Sequence, residues 1–114
     1  MNTLAHTVLN ETESIIAESE NIRDNIDNVY AFILDDDFEN IRTNAEEMQT
    51  LVVQNASIEQ IENQSINLYQ EIKYILEHIE NEYENVMGPE LISSFVNMRE
   101  SINTIRETIN TFSV

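Results

Sequence analysis

The chain lacks cysteine and tryptophan and has one glycine, one proline and one lysine in 114 residues. Without cysteine there is no disulfide framework, no thiolate metal site and no cysteine nucleophile. That absence leaves the redox compartment open and suits a reducing cytoplasm. A single glycine and a single proline give few places to turn, and so little loop from which to build a catalytic pocket or a phosphate-binding turn. No apolar run approaches the ~20 residues that cross a bilayer. The opening MNTLAHTVLNETES has neither the basic start nor the apolar stretch of a secretion signal. The expectation is one soluble cytoplasmic domain over residues 1–114, large enough to bury roughly two-thirds of its unfolded surface.

Positive charge is the scarcest commodity. Five Lys and Arg stand against 22 Asp and Glu, for a net charge of −17. Isoleucine occurs 16 times and asparagine 15 times, a bias expected of an A/T-rich genome, which should also enrich lysine; Lys73 is nevertheless alone. Such a chain is expected to avoid nucleic acid and anionic membranes and to attract basic proteins. The apolar share of 41% separates it from a disordered acidic chain.

What is present is helical periodicity. Ala5, Val8, Ile15, Ile22, Ile26, Val29 and Ile33 form one stripe, interrupted by Thr12 and Ser19, and predict a helix over 2–34. Phe38, Ile41, Ala45, Met48 and Val52 predict a second over 37–55, with Asp36 as its cap and Glu39 reaching back in a capping box. Ser57 and Gln60 repeat that arrangement before a third stripe: Ile58, Ile61, Leu68, Ile72, Ile75, Ile79 and Val86. The third helix is expected over 58–87, with a break rather than a continuous rod at Asn55-Ala56-Ser57. Gly88 and Pro89 are then expected to stop it and open a fourth, 90–112, on Leu91, Phe95, Met98, Ile102, Ile105, Ile109 and Phe112. Short connections favour an all-α, antiparallel up-and-down bundle of about four helices. The unequal lengths leave coiled-coil-like stripes partly uncovered, so a homodimer seam is a further expectation.

No catalytic or cofactor motif emerges. Asp35, Asp37 and Glu39 with Glu46 at the twelfth place imitate a calcium loop, but Asn40 stands where the sharp turn requires glycine. A di-iron bundle needs Glu-x-x-His, and Thr3 and Ile75 precede His6 and His78 at that spacing. Two distant histidines without cysteine make no zinc site. His78, between Glu77 and Glu80, reads as a solvated surface histidine rather than a general base. The chain is therefore expected to be no enzyme and to hold no cofactor or metal.

The acids themselves are patterned. Glu13, Glu20, Asp24 and Asp27 share a stripe; Asp35, Asp36, Asp37 and Glu39 cluster; Glu77, Glu80 and Glu84 follow on the third helix. Like charges three or four residues apart repel, so these stripes cost stability. On a bundle about 45 Å long the net charge gives about one negative charge per 2.6 Å, against about one per 1.7 Å of duplex DNA. In size, charge, helicity and absence of catalytic motifs the chain resembles the DNA-mimic proteins, small acidic inhibitors that phages and mobile elements deploy against restriction enzymes, CRISPR effectors, repressors or nucleoid proteins. That resemblance implies an anti-defence inhibitor acting in the host cytoplasm. Its partner would be a basic nucleic-acid-binding protein, held by the eleven acids just named, and it would touch neither nucleic acid nor membrane itself. The alternative is a structural or adaptor bundle, such as a phage assembly component, joined to its partners through apolar seams.

Overall fold

The computed structural model describes residues 2–25, 32, 34–82 and 84–113, with the backbone alone described at residues 2, 79–82, 84–91, 112 and 113. The chain is an all-α bundle of four helices: α1 (Asn2–Asn25), α2 (Asp35–Val53), α3 (Ile58–Glu82) and α4 (Glu84–Ser113). Each helix packs on its sequence neighbours, and α1 closes the ring against α4, so α2 and α4 face each other diagonally. Polar contacts fix the antiparallel sense. Arg23 near the end of α1 pairs with Asp35 at the start of α2, while Gln49 donates to Thr12 lower down (2.9 Å). Gln64 of α3 donates to the Asn44 carbonyl of α2 (3.1 Å).

The apolar stripes meet in one core. All five positions expected of α2 are buried, as are Phe95, Met98, Ile102, Ile105 and Ile109 of α4. Phe38 and Phe95 stack across the diagonal with ring centroids 6.0 Å apart. In α1 the stripe begins at Leu4 rather than Ala5, which is only half-buried. Thr12 and Ser19 sit fully inside without an energetic penalty for unpaired hydroxyls: Thr12 donates to the Val8 carbonyl (2.6 Å) and Ser19 to that of Ile16 (2.8 Å). Ile26, Val29, Ile33 and the expected continuation of the first helix to residue 34 lie outside the described residues, apart from Phe32, which is helical, and Leu34, which caps the next helix.

The α2–α3 break is where it is expected, and the backbone shows why. Asn55 adopts φ 57, the left-handed conformation that asparagine tolerates better than most residues. Ala56 N–H donates to Leu51 O (2.9 Å) and Asn55 N–H to Val52 O (3.1 Å), the paired bonds of a Schellman stop. Ser57 then caps α3. Gln60 N–H donates to Ser57 Oγ (3.2 Å), and Ser57 N–H donates to Gln60 Oε1 (3.2 Å), a reciprocal capping box. Ser57→Ala should cost about 1 kcal/mol in a urea titration. Asp36→Ala should cost no more than about 0.5 kcal/mol, because Asp36 has no such bond to lose.

Two boundaries differ from expectation. Helix α2 begins at Asp35 with Leu34 as its N-cap and no side-chain cap bond, so Asp36 and Glu39 form no capping box. The helix starts two residues earlier, with Leu34 buried in the core and Asp35 paired with Arg23. Asp35 pairs with Arg23, and all three aspartates keep a favourable place at the positive end of the helix dipole. The second difference is at Gly88 and Pro89, which lie inside α4 instead of dividing two helices; α3 ends at Glu82. In a helix interior glycine costs about 1 kcal/mol and proline about 3 kcal/mol, for the backbone bond it forfeits and the clash of its ring with the preceding turn.

Candidate functional site

The acids are unequally distributed around the ring. Helix α2 holds six (Asp35, Asp36, Asp37, Glu39, Glu46 and Glu47) against one arginine and is flanked by α3, with six acids and one lysine, and α1, with five acids and one arginine, whereas the longer α4 holds four acids and two arginines. The negative field is therefore centred on α2, extends over its neighbours α1 and α3, and is weakest over the diagonal α4. The Cα framework measures 43 × 22 × 17 Å, so a net −17 falls at about one charge per 2.5 Å of length.

Glu13, Glu20 and Asp24 are exposed on α1, Asp36 and Glu39 on α2, and Glu77 on α3; Asp35 and Asp37 are half-buried. Asp27 and the side chains of Glu80 and Glu84 lie outside the described residues. Glu13 and Glu20 border an open groove of about 750 Å³ between α1 and α2, with Glu46 on its far wall. Glu46 belongs to no stripe singled out from sequence, since only the antiparallel pairing of α1 and α2 sets it opposite Glu13 and Glu20. Arg42 partly neutralises it (3.3 Å) and also approaches Glu39 (3.8 Å).

A second carboxylate missed by pattern alone is Glu71 of α3, which lies near Asp37 across the α2–α3 seam. Burial raises the Asp37 carboxyl above its ordinary value of 3.8; His78 opposes this and Asp36 adds to it. Burial likewise raises Glu71 above 4.5, helped by the charge of Asp37 and opposed by a hydrogen bond from Asn40. Both groups hold their protons to higher pH in the folded chain than in the unfolded one. Their contribution is most favourable below these ordinary values and is lost as pH rises through the raised ones. Asp37→Asn should therefore leave stability unchanged at pH 3 and raise it at pH 7 by about a few tenths of a kcal/mol, discounted for exposure, as read from thermal melts across that range.

The aromatic residues divide. Tyr69 is half-buried beneath Arg106, whose guanidinium lies 4.7 Å from the ring centroid, so it is committed to an internal cation–π contact. Tyr74 is 64% exposed and stacks with His78, centroids 6.1 Å apart. Arg42 pairs with Glu46 four places on, Arg23 is held by Asp35 of the next helix, and Lys73 makes no ion pair among the described residues. The segment from Asp35 to Glu46 that imitates a calcium loop is continuous helix. Among the described residues no helix is long and apolar enough to cross a membrane.

Fold and surface together define an acidic four-helix bundle with a charged side and a weakly charged side. Comparison with known proteins finds no matching family model, no matching curated protein and no matching solved structure.

Proposed function

We propose that the chain inhibits a nucleic-acid-binding protein by presenting a DNA-like negative surface. The observation that carries this reading is the charge spacing. One net charge per about 2.5 Å lies between the 1.7 Å of duplex DNA and the 3.4 Å of one of its strands. A protein that grips phosphates with lysine and arginine gains counterion-release energy from such a rod as it does from its substrate. The arrangement around α2 supports a defined docking side, because a partner that meets α1, α2 and α3 meets most of the charge. The phage-type, anti-defence setting and the cytoplasm belong to the same proposal. So does the absence of catalysis, since the acids named above make a surface rather than a reaction centre.

The adaptor alternative draws on less surface. Among the described residues the apolar stripes are spent on the internal core, and the large hydrophobic side chains left exposed are Leu9, Phe32, Val53 and Tyr74.

Reversal of Asp35, Asp36, Asp37 and Glu39 to lysine tests the local contribution. The net charge moves from −17 to −9, and affinity for the basic partner should fall at least tenfold at 50 mM salt, on the order of four weak ion pairs lost and four repulsions gained. Unaltered affinity would reduce the cluster to a helix-starting role.

A further inference from the structure

The α1–α2 groove joins concavity, charge and an apolar strip. Its α1 wall carries half-buried Ile16 and exposed Ala17 between Glu13 and Glu20; its α2 wall carries Glu46 and Gln49. Glu13 and Glu20 make no ion pair among the described residues, whereas Glu46 is held by Arg42. The register set by Gln49–Thr12 and Arg23–Asp35 brings Val53, one turn beyond Gln49, level with Val8 and Leu9. Leu9 is 37% exposed and Val53 71% exposed; both lie outside the groove lining, on the same two helices, one turn or less from Asn10 and Gln49 in sequence.

We infer that this groove takes a cationic amphipathic α-helix of the target protein, apolar at one end and bearing lysine or arginine at seven-residue spacing. The inference rests on the inhibitor reading and names the part of the target that would be held. The spacing selects a helix. Glu13 and Glu20 are separated by seven residues, about 10.5 Å of helix axis, and a helix docked at a shallow crossing angle repeats its cations at that same interval. An extended strand covers about 10 Å in three residues, and side chains three apart on a strand point to opposite faces. Ala17 leaves space for a neighbouring backbone to approach, and Ile16, Leu9 and Val53 offer apolar area to the docked helix.

The probe is a pair of 21-residue synthetic peptides of identical lysine, leucine and alanine composition. One places lysine at seven-residue intervals on a leucine-flanked helical face; the other alternates lysine and leucine as a strand would. Each is titrated into the isotope-labelled full chain at 50 mM salt. The helical peptide should bind at least about tenfold more tightly and shift the amide resonances of residues 13–20 and 46–53. E13Q/E20Q should weaken it about fivefold, on the scale of two exposed ion pairs. E100Q/E107Q removes the same charge at the same spacing on α4 and should change affinity less than twofold. A17W leaves the charge intact and should block the groove, with circular dichroism confirming the fold. Equal losses in the two double variants, or undiminished binding by A17W, would overturn the groove while leaving the charge-based function standing. Groove binding that persists at 300 mM salt and is indifferent to competing duplex DNA would overturn the inhibitor reading while leaving the groove as an apolar docking site.

Discussion

Raising monovalent salt from 50 to 200 mM should weaken the complex between this chain and the basic protein proposed as its partner by a factor on the order of 300. The figure follows from six surface ion pairs, each releasing about 0.7 of a counterion, the coefficient for a polyanion less dense than duplex DNA. The charge spacing of about 2.5 Å argues for that coefficient rather than the duplex value. Measuring affinity by titration at four salt concentrations gives the slope directly. An interface built on apolar side chains would change by less than about threefold over the same range, because hydrophobic burial is barely screened. Substitution of acids on the α4 side should alter the slope little, since α4 holds only Glu84, Glu90, Glu100 and Glu107, offset by Arg99 and Arg106.

Phe95→Ala should be the most destabilising simple truncation, at about 3–5 kcal/mol in urea or thermal unfolding. Phe95 is fully buried, and its ring stacks on Phe38 across the middle of the bundle. The cavity left would open between α2 and α4, the two helices that otherwise meet only through the core, so the neighbours cannot close it without shifting both. Loss on this scale approaches half the stability of an ordinary domain. A chain carrying −17 also works against its own repulsion. The variant should accordingly recover part of its loss in 0.5 M salt, where that repulsion is screened. A loss below about 1 kcal/mol would mean that the Phe38–Phe95 contact does not organise the core.

The two predictions draw on different levels of the sequence. The stripe of α2 from Phe38 to Val52 and that of α4 from Phe95 to Ile109 were legible because an amphipathic period of 3.6 admits one packing face, and burial follows it. The Ser57–Gln60 box was legible for a similar reason, being a local arrangement that needs nothing from the rest of the chain. Where the expectation fails, a contact distant in sequence decides. Asp36 looks like a cap, yet Leu34 inside the core and Arg23 on α1 move the helix start to Asp35. Gly88 and Pro89 look like punctuation, yet the helix runs through both.

The candidate site shows the same division. Exposure of Glu13, Glu20, Asp24, Asp36, Glu39 and Glu77 follows from their lying off the apolar stripes. That Glu46 faces Glu13 and Glu20 across a groove, and that Glu71 approaches Asp37, depends on helix pairing and register, which no single-helix pattern encodes. The concentration of charge around α2 could have been suspected from its six acids in 19 residues, but its place opposite α4 required the order of packing.

The most direct test is competition. The chain is immobilised, loaded at 50 mM salt with a purified basic nucleic-acid-binding protein, and challenged with excess duplex DNA or with excess of an uncharged polymer. Displacement by duplex, with no release by the uncharged polymer, is the result expected of a surface that occupies the nucleic-acid site. A ternary assembly in which the partner holds duplex and chain together, or a complex indifferent to both challenges, would contradict it.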